Sequence, residues 1–399
     1  MKNKEEFATT SIHGGYASKD HHGSLSTPVY QTSTFTFETA EQGEARFQGE
    51  EAGFIYSRLG NPTVQALESR MAQLEEGESG LAFGSGMAAV SAVLLYMTKM
   101  NDHIVSSKGV YGCTYGLMEF MKEKYNIVTE FVDLTDERSL EASIRANTSC
   151  IYIESPINPT MQLIDLEMVG HVAKRHGLPL IVDNTFSSPY FQQPLKHGAT
   201  VVLHSATKYI SGHGDVIGGI AVGDRELMGE IGRSTHKDLG GILSPHDASL
   251  LLRGLKTLPI RMERHADNAR HIFNKLRNHS EVTSVFFPDD PTREDYEVYK
   301  RQMTGPSGVI SFQLARTKEE VQSFMNELKL IKIAVSLGDA ETLIQHPATM
   351  THAVIPKVER EKMGITDQLV RLSIGLEHWE DVWDDLEQAL KKVSEPIRK

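Results

Sequence analysis

A chain of 399 residues exceeds what one ordinary hydrophobic core encloses and predicts two or three domains. Hydrophobic residues at 40% and charged residues at 24% exclude a disordered protein. The net charge of -12 argues against a nucleic-acid-binding surface, and two cysteines, Cys113 and Cys150, cannot build a disulfide framework.

The opening MKNKEEFATT has no apolar stretch after its lysines, so no signal peptide is expected. The longest nearly apolar run, Met87 to Met97, falls short of a bilayer roughly 30 Å thick. Together with the cysteine usage this predicts a cytoplasmic protein with neither membrane nor nucleic acid as partner.

Residues 1 to 60 are rich in Thr, Ser, Gly and Gln and show no sustained helical period. They predict an arm without a core of its own, lying on something else such as another subunit. Asn61-Pro62 then opens a helix, Thr63 to Glu75, with Val64, Leu67, Met71 and Leu74 on one stripe. Next, Gly80 to Ala89 reads as a strand running through glycines into a helix. The backbone amides of Gly86 and Met87 can approach an anion there. The stretch matches G-x-G-x-x-A, but Asp102 precedes the following strand instead of ending it, so the dinucleotide reading fails. No G-K-[ST] follows either, and a generic phosphate cradle is the better reading.

Strands are predicted at His103–Ser106, Val128–Val132, Ser149–Glu154, Leu178–Asp183, Thr200–His204 and Gly218–Val222. Helices such as Leu166–His176 separate them, so the sheet should be largely parallel. Ligands bind beyond the carboxyl ends of such strands. Asp183 stands at one of these ends, where a helix cap or turn former is the bland alternative. The proline-stiffened Glu154-Ser155-Pro156-Ile157-Asn158-Pro159 lies at the same rim; Asn158 there can bond a ring substituent or simply form a turn.

The apolar run Val201 to Leu203 leads to Ser205 and Thr207, and Lys208 follows. A lysine at such a rim loses hydration, lowers its pKa and becomes an amine nucleophile. Two hydroxyls beside it can hold a phosphate. Lysine, hydroxyls and phosphate suggest pyridoxal 5′-phosphate (PLP) bound as a Schiff base, although this stretch alone equally describes a surface lysine. Asp183, 25 residues earlier, would keep the pyridine nitrogen protonated.

After Arg253 a long helix, Leu255 to Arg277, reads as a connector. A second alternation follows: strand Gly308–Leu314, helix Lys318–Leu328, strands Ile331–Val335 and Leu369–Gly375, and a closing helix from Glu380. Arg371 on the last of these strands needs a partner, either a substrate carboxylate or a structural acid. The class is α/β, a mostly parallel central sheet with a smaller C-terminal α+β domain. The divisions fall at 1–60, 61–255 and 256–399.

The ordered set YSRxGNPT, FxSGMAA, VYGCTY, ESPxNP, IVDNTF, HSATKYxxGHGD, VSLGDAETLIQHPATMTH and VRLSIGLE resembles the Cys/Met-metabolism family of PLP enzymes. These are the fold-type-I relatives of cystathionine γ-lyase and methionine γ-lyase. VYGCTY, HKDLGG and VSLGDAETLIQHPA are most similar to the methionine γ-lyase branch. The resemblance implies that Tyr111 stacks on the pyridine and acts as general acid, its pKa lowered by nearby cations. It implies that Arg371 takes the substrate carboxylate with help from Ser336 and Leu337, and that Val335 faces the substrate from its strand. It also implies that Tyr56 and Arg58 reach the phosphate of a neighbouring subunit in a homotetramer, a dimer of dimers with shared sites. Cys113, Lys237 and Asp238 would line the entrance, Cys113 as a shaping residue only. His204, His213 and Asp215 carry no metal reading. The implied activity is α,γ-elimination of L-methionine to methanethiol, 2-oxobutanoate and ammonia. The rivals are a cystathionine γ-lyase, an O-acetylhomoserine sulfhydrylase and, from other classes, a non-enzymatic PLP-binding protein or an NAD oxidoreductase.

Overall fold

The structure, a computed structural model, describes residues 5–394. Its first sheet contains β1 (Ser79–Phe83), β2 (His103–Ser107), β3 (Val128–Val132), β4 (Thr148–Glu154), β5 (Leu180–Asp183), β6 (Val201–Ser205) and β7 (Gly219–Gly223). Their order is β1-β7-β6-β5-β4-β2-β3. Only β7 runs against the others, antiparallel to both β1 and β6. Helices cover both faces, so inner strands such as β2 are buried at every position, and continuous apolar runs result. The parallel strands therefore end on one edge. Glu154, Asp183 and Ser205 close β4, β5 and β6 there, with Glu154 beside Asp183 in register.

The helix Pro62–Leu74 begins with Asn61 capping the Thr63 amide, and it buries Val64, Leu67, Met71 and Leu74. Its Arg70 is buried too, where Nε donates to the Gly14 carbonyl at 2.7 Å and Nη1 to those of Ser11 and Leu252 at 3.4 Å. The N-terminal end of the arm thus rests on its own chain, and it contains a helix for which the sequence showed no period. Helix Phe7–His13 is clamped to the main body by that guanidinium, and Phe7 packs on Tyr190. A second helix, Ala40–Gln48, was hidden by its polar composition and is capped by Thr39. Leu25 and Val29 between these helices, Phe47 in the second and Tyr56 after it stay exposed.

The connector is two helices, Pro245–Leu255 and Leu258–Leu276, because the chain breaks at Lys256-Thr257 before Pro259. The second helix is bonded to both halves of the molecule. Arg261 donates to the Tyr209 carbonyl at 2.7 Å, and His265 and Asn268 hold the carbonyls of Ile374 and Gly375.

The remaining strands, β8 (Val282–Phe286), β9 (Val309–Leu314), β10 (Lys332–Ile333), β11 (Leu343–Gln345) and β12 (Leu369–Ser373), form a second sheet. Their order is β10-β11-β12-β9-β8. Phe312, Phe324, Ile344, Val370 and Leu386 fill its core. The predicted strand Ile331–Val335 shrinks to the two exposed residues of β10, so Val335 lies beyond the strand in a loop. The short β11 gave no periodic signal.

Candidate active site

A cavity of about 230 Å³ opens beyond the carboxyl ends of β4, β5 and β6. Its lining brings together Gly86, Met87, Tyr111, Asn158, Asp183, Ser205, Thr207, Lys208, Val335 and Arg371, which the sequence had marked separately.

Lys208 sits three residues past the last residue of β6, in the turn Ala206–Tyr209. Its Nζ donates to Ser336 Oγ at 3.0 Å. Burial first, and then Arg371, push its ammonium down to about 8, while Asp339 pulls the other way. About a tenth of the amine is then neutral at pH 7, far more than for an ordinary lysine, as a nucleophile or base requires.

Arg371 lies in the middle of buried β12 and is 3% exposed. Nη1 donates to Asn158 Oδ1 and Nη2 to the Ser336 carbonyl, both at 2.9 Å. Gln345, with its carbonyl turned inward, accepts from Nη1, Nη2 and Nε at 2.9–3.0 Å. No carboxylate among the described residues pairs with Arg371, so the charge is held by neutral oxygens and its N–H donors outnumber them. Burial pushes it down to about 10. Asn158 thus spends its side-chain oxygen on Arg371.

At the opposite end, helix Gly86–Met97 starts directly against β6. A Cβ at Gly86 would lie 2.9 Å from that of Ser205, so only glycine allows the approach. Ser85 caps the Ala88 amide at 3.0 Å, leaving the amides of Gly86 and Met87 pointing off the helix end. Thr207 Oγ1 accepts from the Gly218 amide at 3.0 Å and donates to the Gly218 carbonyl at 3.3 Å, a long bond that it would exchange for one to a phosphate oxygen. Two free amides, a helix N-terminus and the hydroxyls of Ser205 and Thr207 make a donor set suited to a phosphate. Asp183 accepts from the Thr185 amide at 3.0 Å. Burial raises its carboxyl, the Thr185 bonds lower it, and a cation against it would favour the anion further. Phosphate cradle, aspartate and amine therefore fit the three functional ends of PLP.

Tyr111 immediately precedes helix Gly112–Tyr125, and its backbone amide donates to Glu154 Oε1 at 2.8 Å. Its phenol is pushed up to about 12 by burial, followed by the hydrogen bond with Cys113. The expectation of a lowered pKa is thereby corrected for the chain alone. Arg371 lowers it, but burial and the thiol outweigh that one cation.

Val335 and Ile217 line the cavity while 59% and 64% exposed, which places them at its mouth, and Leu337 lies deeper. Tyr56 and Arg58 lie outside it: Arg58 Nη1 donates to the Lys237 carbonyl at 2.9 Å, with its guanidinium over the Tyr56 ring. Cys113 is exposed beside Tyr111, and Lys237 pairs with Asp238 at 3.1 Å, all three outside the lining. His204 is buried against Glu75 at 2.5 Å, while His213 bonds the Ser211 carbonyl. Ser85, Val90, Thr114, Glu154, Pro156, Thr185, Phe186, Ile217 and Thr351 complete the wall, and no site role was read for them from sequence. Glu154, Thr185 and Phe186 do lie inside the ESPxNP and IVDNTF motifs.

Residues 8–391 match the family described as Cys/Met metabolism PLP-dependent enzyme. The L-methionine gamma-lyase of Fusobacterium nucleatum subsp. nucleatum is 48% identical over 392 residues, 98% of this chain and 99% of that protein. The cystathionine gamma-lyase of Bacillus subtilis is 45% identical over 96% of this chain and 99% of its own. Among solved structures, cystathionine gamma-lyase from Lactobacillus plantarum complexed with L-serine superposes with a TM-score of 0.92 at 39% identity. It covers 98% of this chain and 100% of that one.

Proposed function

Because the chain belongs to the Cys/Met metabolism PLP-dependent enzyme family, we propose that it performs α,γ-elimination on L-methionine. The products are methanethiol, 2-oxobutanoate and ammonia, with one water consumed. The observation that carries this reading is how the cavity sorts its charge. Lys208 and Arg371 are both anchored on Ser336, the acids Glu154 and Asp183 stand at the strand ends, and the mouth residues Val335 and Ile217 are apolar.

When bound, PLP supplies an electrophilic carbon for the substrate amine and an electron sink for charge left at Cα. Gly86, Met87, Ser205 and Thr207 would hold its phosphate, and Asp183 would stabilise a protonated ring nitrogen. Arg371 takes the methionine carboxylate through its spare donors, in a bidentate pair that fixes the Cα–H direction. Lys208 Nζ, neutral in a usable fraction, removes the Cα proton and relays one from Cβ. Tyr111 Oη, held protonated by its surroundings, gives its proton to the departing methanethiolate. Val335, Ile217 and Leu337 enclose the thioether methyl, where each buried methylene-sized group gains about 0.8 kcal/mol. The distal ammonium of cystathionine meets no carboxylate among these residues, and an unpaired charge in a partly buried site is costly.

A second reading, cystathionine γ-lyase, is favoured by the Bacillus subtilis relative at 45% identity. Turnover assays with methionine, cystathionine, homocysteine, and O-acetylhomoserine plus sulfide separate these readings.

The proposal extends to organisation. Residues 61–255 form the PLP-binding domain and 256–399 the C-terminal domain. The arm, residues 1–60, carries Tyr56 and Arg58 to the phosphate of a neighbouring subunit in a dimer of dimers. Two observations support this: both residues lie outside their own chain's cavity, and the arm exposes Leu25, Val29 and Phe47. A cytoplasmic enzyme follows from the cysteine usage, and no helix among the described residues is long and apolar enough to cross a membrane.

A further inference from the structure

Glu154 is a titratable cavity residue to which the mechanism above gives no step, and its surroundings are unusual. It ends β4 directly beside Asp183 at the end of β5, and it is only 5% exposed. Two carboxyl groups thus share one buried edge. Among the described residues no lysine, arginine or histidine forms an ion pair with Glu154. Across the cavity Lys208 is bonded to Ser336, and Arg371 to Asn158, Ser336 and Gln345. The groups packed nearer are Tyr152 on β4, His204 on β6, Thr185 and Tyr111. His204 is engaged by Glu75.

Two adjacent buried carboxylates disfavour double ionisation, and the one cation of a bound cofactor would offset only one of them, so one proton is retained by the pair. Each member accepts one backbone amide, Asp183 from Thr185 at 3.0 Å and Glu154 from Tyr111 at 2.8 Å. His204 favours the Asp183 anion, and the ring nitrogen of a bound cofactor would face Asp183 as well. The proton therefore stays on Glu154. The directions agree: burial and then Asp183 raise the Glu154 carboxyl far above the ordinary carboxylate range.

We infer that Glu154 is a positioning residue that works as the neutral acid. It grips the Tyr111 backbone at the start of helix Gly112–Tyr125 and leaves Asp183 as the sole anion of the pair. The grip matters because Tyr111 has no side-chain cap to fix its helix entry, and its amide bond to Glu154 supplies that anchor. The inference rests on the roles proposed above for Tyr111 and Asp183.

The test uses the holoenzyme and its Glu154→Gln and Glu154→Ala variants. The wild-type-minus-E154Q infrared difference spectrum near neutral pH should contain a carboxylic acid C=O band. A pair of carboxylate bands in its place would overturn the inference. In steady-state assays E154A should lower kcat by about tenfold or more, with KM changed less than about threefold, as misplacement of a reacting group does. E154Q is neutral and still accepts from the Tyr111 amide, so it should recover most of that loss. An E154Q kcat as low as that of E154A would overturn the grip on Tyr111. Should E154A not fold, the spectrum still decides the proton state, and an E154Q kcat within about threefold of wild type supports the grip while a fall of about tenfold or more overturns it. A wild type inactive on methionine but showing the acid band would refute the substrate reading and leave the Glu154 proton state supported.

Discussion

Replacing Arg371 by lysine keeps the positive charge and removes the planar fork, so it isolates what the fork does. In the structure the guanidinium reaches Asn158 Oδ1, the Ser336 carbonyl and the Gln345 carbonyl from different nitrogens, all within 2.9–3.0 Å. A single ammonium cannot meet these three acceptors and a substrate carboxylate together. At least one charge-assisted bond to that carboxylate should disappear, worth about 1.5–3 kcal/mol. At about 1.4 kcal/mol per decade, kcat/KM for methionine should fall roughly 10- to 150-fold, mainly through KM. The proposed cofactor cradle lies on the Gly86, Ser205 and Lys208 side of the cavity, so PLP affinity should stay within about threefold. Methanethiol release captured by a thiol reagent gives the kinetics, and PLP titration of the apoenzyme gives the affinity. A kcat/KM within about threefold of wild type would refute the carboxylate role and leave Arg371 a structural arginine.

Lys208→Ala should abolish the bulk of turnover together with the visible band of lysine-linked cofactor; retention of that band would mean that another lysine is the anchor. Mixing inactive Arg58→Ala and Lys208→Ala chains should restore part of the activity, because hybrid dimers contain one site with both residues intact. Proven hybrids without recovery would place Arg58 in its own subunit's site. His265 is fully buried against the Ile374 carbonyl, and burial pushes it down to about 4 from a usual 6.5. The unfolded chain then binds the extra proton first as pH falls through that window, so acidification disfavours the fold. Between pH 7 and 5 this should cost wild type about 2 kcal/mol more than His265→Gln, followed by urea unfolding of Trp379 and Trp383 fluorescence; parallel losses would contradict it.

Much of this was legible because parallel strands buried on both faces are written as short apolar runs. The residues just past them, Asp183, Ser205, Thr207 and Lys208, therefore announced one sheet edge. Arg371 was legible for the complementary reason, a cation flanked by apolar neighbours on a strand. Other parts depended on long-range partners that no local pattern encodes. The clamp of Arg70 on Gly14 and Ser11 draws onto its own chain an N-terminal helix for which the sequence showed no helical period. Glu154 looked like the last residue of a strand until its neighbour across the sheet proved to be another acid. The Tyr111 pKa went the wrong way because counting nearby cations ignored burial, the largest influence on it. Val335 was placed in a strand that ends two residues earlier, at the exposed edge of the second sheet, where little packing extends it.

The central claim concerns which sulfur amino acid the cavity favours, and Val335 at its mouth is the residue to vary. The decisive measurement is kcat/KM for L-methionine against L-cystathionine, in wild type and in Val335→Glu. The account predicts a higher value for methionine in wild type and a narrowed gap in the variant, since a glutamate there can pair with the distal ammonium. A wild-type preference for cystathionine would contradict it.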